Sequence, residues 1–207
     1  MSKGVYTEFN ANDYNTNDYS SVYKPSSGLS VVGEPDIQYE ERIDYLFINS
    51  GDRDTSVYPN PNSYVTRFPT EFRNIKEIEL INAIIPDKNS ITQEPYLLLR
   101  IDEIDDVMTS SNKQIADSFA FLALANATTA GGFITIDKRI HENTPKLFTT
   151  PKASLDKMTI TITDNTGTPW NFGSDTLVPT KALQHTLVFR IVTLQKRRDA
   201  LAFRNVY

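Results

Sequence analysis

From Met1 to Asp36 the apolar positions follow no period: Val5, Val22, Leu29, Val31 and Val32 are scattered among Asn, Asp, Ser and Tyr. Neither the two-residue repeat of a strand nor the repeat of a helix is sustained. Such a stretch buries too little apolar surface to offset the entropy lost on ordering, so alone it is expected to be flexible. Its tyrosines qualify that picture. Asn12-Asp13-Tyr14 recurs as Asn17-Asp18-Tyr19, and Tyr23 follows. Each ring joins a large apolar face to a hydroxyl, which suits an arm lying on a neighbour's surface. Residues 1–42 therefore read as an extended N-terminal arm, with Tyr14, Tyr19 and Tyr23 as candidate partner-binding residues. The bland alternative is a plain disordered tail.

Beyond Glu40 the pattern becomes that of β structure. Ile43–Asn49 is a short apolar run, broken by Gly51-Asp52-Arg53-Asp54. Pro59 and Pro61 keep the next stretch out of helix. Tyr64, Thr66 and Phe68 alternate with Val65 and Arg67, as in a half-exposed strand. Ile75–Ile85 sets Ile78, Leu80 and Ile84 on one face, with Glu77, Glu79 and Ala83 on the other, and stops at Pro86. Tyr96–Ile101 is a further apolar run. Ser111–Asp117 fits a short helix, Phe119–Ala127 fits helix or strand, and Phe133–Ile136 fits a strand after Gly131-Gly132.

The last third alternates most cleanly. Met158, Ile160 and Ile162 interleave with Thr159, Thr161 and Thr163. Asp164–Pro169 is then a loop whose Gly167 suits a positive φ, and Trp170 and Phe172 are expected to fold back on the sheet. Thr186–Leu194 closes the series, with Leu187, Phe189 and Ile191 on one face. About eight strand candidates separated by turn signals, without a long helix, predict an all-β chain. The expected fold is a single β-sandwich over residues 43–195, a jelly roll being one form of it. Residues 196–207 are read as a short basic tail.

Composition narrows the function classes. The 207 residues carry a net charge of −5, which supplies no general attraction for nucleic acid. No apolar run approaches the roughly 18–20 residues of a membrane span, and Met1-Ser2-Lys3-Gly4 opens no secretory signal. Cysteine is absent, which removes disulfides, zinc thiolates and thiol nucleophiles together and fits assembly in a reducing compartment.

Candidate chemistry is sparse. His141 and His185 lie in separate segments, and His185 at the mouth of the last strand reads as a structural histidine. No serine elbow or phosphate loop occurs. Asp52 and Asp54 flank Arg53, a pattern read as a loop stiffened by local hydrogen bonds and an arginine–carboxylate pair. Asp102, Glu103, Asp105 and Asp106 form an acidic cluster, read as a solvated turn because the spacing of a calcium loop is missing. We expect no cofactor, no metal and no enzymatic activity. Lys196, Arg197 and Arg198, with Arg204, make the end of the chain basic, and an acidic protein surface suits so few cations better than nucleic acid does.

One stretch resembles a known group. Ile48-Asn49-Ser50-Gly51-Asp52-Arg53-Asp54, Tyr58-Pro59-Asn60-Pro61-Asn62-Ser63-Tyr64, Phe68-Pro69 and Ile75–Leu80 up to Pro86 are similar to minor capsid and other virion structural proteins of the nucleocytoplasmic large DNA viruses. Ile162-Thr163-Asp164, Trp170-Asn171-Phe172-Gly173 and His185 resemble them more loosely. The likeness covers residues 45–86 and, in part, 158–192, and leaves out the arm and residues 103–157. It implies a place in a virus particle assembled in the host cytoplasm. The expected role is a cement subunit binding the major capsid protein, other minor capsid proteins and further copies of itself. The alternative is a vertex or fibre module that binds a host glycan or receptor, with Trp170, Asn171 and Asp175 as a stacking platform for a sugar. An enzyme acting through the carboxylates is the least favoured reading.

Overall fold

The alternating segments become seven strands and one short helix in the computed structural model, which describes residues 39–104, 108–124 and 132–197. The strands are β1 (Tyr39–Asn49), β2 (Ser63–Pro86), β3 (Tyr96–Ile101), β4 (Ala120–Ala123), β5 (Phe133–Asp137), β6 (Lys146–Thr163) and β7 (Thr186–Lys196). The helix α1 (Lys113–Ala116) starts where the Asn112 side chain accepts a hydrogen bond from the Gln114 N–H, a cap that satisfies one otherwise unpaired donor. Among the described residues no helix is long and apolar enough to cross a membrane.

All strand pairs are antiparallel, in the order β1-β7-β2-β6-β3-β4, with β5 added to β2. Strand β2 organises the sheet. Along one edge it pairs with β7 from Ile75 to Ile84. Its opposite edge takes β6 between Ser63 and Ile78, then β5 between Asn82 and Pro86. The sheet curls. Four steps separate β7 from β4 in the order, which in a flat sheet would be about 19 Å. Yet the ring of Phe119, just before β4, lies 5.9 Å from that of Phe189 in β7. The fold is therefore all-β, as expected, with one bent sheet closing over a single core.

That core takes the faces that alternation marked. Met158, Ile160 and Ile162 of β6 and Leu187, Phe189 and Ile191 of β7 are fully buried. Leu97, Leu98 and Leu99 of β3 are buried on both faces. Each such side chain contributes roughly 1.5–3 kcal/mol relative to exposure. Gly167 has φ +89° in the loop after β6, and Phe172 returns into the core with Trp170 packed beside it.

Four expectations change. The segments around Tyr64–Phe68 and Ile75–Ile85 are one 24-residue strand; Pro69 interrupts it only where the ladder to β6 is already irregular, between Arg67 and Phe72. A proline at a bulge removes no ladder hydrogen bond. The second change concerns facing. A register shift between Leu80 and Asn82 turns Ala83 and Ile85 into the core and Ile84 outward, the reverse of simple alternation. Third, Phe119–Ala127, open between helix and strand, contributes a strand over Ala120–Ala123. Fourth, residues 39–42 and Lys196, read as arm and tail, belong to the sheet, where Tyr39 stands opposite Lys196. Their charged side chains carry no apolar signal, but an edge strand is ordered by its ladder.

Candidate functional site

The segment between β1 and β2 is built around one side chain. Ser50–Asp52 form a tight turn capped by Asn49, whose side chain accepts from the Gly51 N–H at 2.7 Å. The turn sends Asp52 and Asp54 outward and Arg53 inward. Arg53 Nε donates to the Tyr58 carbonyl at 2.8 Å. Nη1 donates to the Ser50 carbonyl at 2.6 Å and to Gln184 Oε1 at 2.7 Å. Nη2 donates to the Pro59 carbonyl at 3.0 Å and to Asp175 Oδ2 at 2.7 Å. All five guanidinium donors are thereby used.

The acceptors are tied to one another. Asp175 takes the Thr180 N–H on Oδ1 at 2.7 Å and Gln184 Nε2 on Oδ2 at 2.6 Å. Burial alone would raise the pKa of this carboxyl, but the Thr180 N–H, Arg53 and Gln184 outweigh it and hold the group below the ordinary range. Ser50 Oγ donates to Gln184 Oε1 at 2.8 Å and accepts from the His185 N–H at 2.9 Å. Both side chains of the Arg53–Asp175 pair are fully buried. A charge removed from water in this way is tolerated only when every polar partner is supplied.

His185 sits beneath the clamp. Its Nε2 shares a hydrogen bond of 3.0 Å with the hydroxyl of Tyr64, the first inward residue of β2, and its ring lies 5.7 Å from that of Phe172. Burial, with the nearby Arg53 charge, pushes its pKa down to about 3. Its Nδ1 meets no partner among the described residues, so a second ring proton would have no acceptor. Desolvation also keeps the Tyr64 hydroxyl protonated. The histidine is structural, and neither ring nitrogen reaches the Ser50 hydroxyl.

The candidate site residues fall in different places. Tyr14, Tyr19, Tyr23 and Arg198 lie outside the described residues, as do Asp105, Asp106 and Arg204. Lys196 ends β7 and, with Arg42, Asp44 and Phe72, lines a cleft of about 620 Å³ that opens where β2 parts from β7. Arg197 follows directly. The arginine partner that sequence reading sought locally is Asp175, 122 positions away. That use removes Asp175 from a sugar platform with Trp170. Asp54 is an exposed turn residue; hydrogen bonds from the hydroxyl and N–H of Ser56 hold its carboxyl below its ordinary value. Glu103 of the acidic cluster accepts from the Thr159 N–H at 2.7 Å and its hydroxyl at 2.9 Å, pinning the turn after β3 to β6.

One surface escaped sequence reading. Tyr39, Ile43, Tyr45 and Phe47 stand on the outward face of β1, each about half or more exposed, with Phe47 at 70%. The alternating residues Leu46 and Ile48 face inward. Both faces of this run are apolar, so its period marks a strand without saying which side is buried. No protein-family model matches the chain, and no curated protein matches it.

Proposed function

We propose that this chain is a non-enzymatic structural subunit of a large DNA virus particle, a minor capsid protein that cements neighbouring capsid subunits. The observation that supports this reading best is the fate of the motif carrying the resemblance. Its Ser50 and Arg53 side chains are spent on an internal clamp, whereas aromatic residues stand outward on a sheet-edge strand. A subunit that holds others together needs a stiff frame and adhesive edges rather than an open polar cleft. Its partners are the major capsid protein and other minor capsid proteins. Tyr14, Tyr19 and Tyr23 supply apolar anchors, and Lys196, Arg197 and Arg198 meet an acidic protein surface.

The test is a map of purified particles in which this chain is traced among its neighbours. The reading expects it packed against the major shell. Absence from purified particles overturns it, and a position on an outer vertex with glycan binding by the purified protein favours the attachment role instead.

A further inference from the structure

Strand β1 ends the sheet, with β7 on one side and no strand on the other among the described residues. Such edges are normally short, bent, or interrupted by proline, because an unpaired ladder recruits other strands. β1 has 11 residues and no proline, and it displays Ile43, Tyr45 and Phe47 outward. Its charges lie in a particular order: Arg42 and Asp44 share the inward face and pair with each other at 2.9 Å.

From this we infer that β1 pairs with the β1 of a second copy, antiparallel, about a twofold axis through Ile43. A twofold perpendicular to the sheet runs the second strand antiparallel while keeping outward residues beside outward residues. Only registers centred on a residue are then possible. Centring on Glu41, Arg42 or Asp44 sets a charge against its own copy. Centring on Tyr45 leaves Arg42 facing Ile48 and Asp44 facing Leu46. Centring on Ile43 places Arg42 opposite the second copy's Asp44, and Asp44 opposite its Arg42. Glu40 then stands opposite Leu46 and Glu41 opposite Tyr45, but no like charges are opposed, Tyr39 lies over Phe47 and Ile43 lies against Ile43. Cross-strand pairs of these kinds are the ones that stabilise a ladder. The outward aromatic stripe then runs unbroken across both copies, as strand addition at a sheet edge allows. This inference stands independently of the virus-particle reading, since it concerns the free protein in solution.

Sedimentation of the full chain over micromolar concentrations tests it. The wild type is expected to dimerise. Arg42→Asp and Asp44→Arg should each weaken the dimer by a factor of about ten or more, because two attractive pairs become repulsive. Mixing the two variants should restore association, since the two carboxylates of one chain then meet the two guanidinium groups of the other. Ile43→Lys, at a half-exposed position that leaves the core intact, should abolish the dimer with an unchanged far-ultraviolet spectrum. A monomeric wild type overturns the inference, including one that dimerises only after residues 1–36 are removed, for then the arm covers the edge. A dimer indifferent to Ile43→Lys, or a variant mixture that stays monomeric, overturns it as well.

Discussion

A guanidinium withdrawn from water is stable only while each of its donors has an acceptor, and Arg53 meets that condition with three backbone carbonyls, Gln184 and Asp175. Removing one partner strands the others. Arg53→Met or Asp175→Asn should each cost about 3–5 kcal/mol in urea unfolding, and Arg53→Met combined with Asp175→Leu should cost less than the sum of the single changes. Arg53→Lys should not rescue, because an ammonium lacks the planar fork that reaches five acceptors. His185 adds a pH dependence. Its pKa is about 3 in the folded chain against 6.5 when free, so below pH 6.5 the unfolded chain binds a proton that the folded chain refuses. Stability from this site is complete above pH 6.5 and falls by about 1.4 kcal/mol per pH unit towards pH 3. Between pH 7 and 5 the wild type should lose about 2 kcal/mol more than His185→Gln. Parallel losses would remove His185 from the account. Asp175, whose carboxyl is held below its ordinary 3.8, contributes stability that is present above pH 3.8 and is lost as pH falls below it.

At the scale of elements, β2 turns a local irregularity into an architecture. Its bulges let one strand serve β6 at one end, β7 at the other and β5 beyond, and so bend the sheet over its core. Asn74 lies at φ +52° within the bulged stretch, a conformation that asparagine tolerates better than most side chains. The shift between Leu80 and Asn82 makes a direct prediction about facing. Ile85→Ala should destabilise by about 2–5 kcal/mol, whereas Ile84→Ala should cost less than about 1 kcal/mol. A larger cost at Ile84 than at Ile85 would mean that the strand alternates without a bulge. Gly167 marks the other constrained element. Alanine there must adopt a left-handed φ, and its methyl would meet the Gln114 side chain, which is already bonded to Arg100. A loss of about 1–2 kcal/mol is expected from the backbone term alone.

For the whole molecule, the buried core of the described residues runs from Ile48 to Ile191, and the scattered aliphatic residues of the first 36 positions offer little further apolar surface. Deleting residues 1–36 should leave the melting temperature within about 2 °C of the wild type, corresponding to less than about 1 kcal/mol. On the proposed capsid role, the same deletion should abolish stable incorporation into particles. Normal incorporation would make the arm idle, and loss of folding would make it part of the domain. The curled sheet brings the exposed apolar residues of the β1 edge and, at the end of β7, Lys196 opposite Tyr39 to one margin.

Sequence alone determined what depends on neighbours along the chain. The threonine-interleaved run of β6, the apolar runs of β3 and β7, the short helix within Ser111–Asp117 and the left-handed Gly167 each follow from side-chain period or backbone preference. The structure reproduces them. Sequence reading also assigned Arg53, between two acids, a carboxylate partner, but sought that partner locally. Tertiary structure decided everything that depends on which surfaces meet. The partner of Arg53 comes from a loop 122 positions later, and nothing local in Asp175 announces the pairing. Ile84 faces outward because a bulge, set by pairing with β7, breaks the two-residue rhythm. Ile43, Tyr45 and Phe47 are exposed because β1 is an edge, and edge or centre is a property of the sheet's order. A run apolar on both faces carries the period of a strand but no sign for inside and outside; only packing supplies that sign.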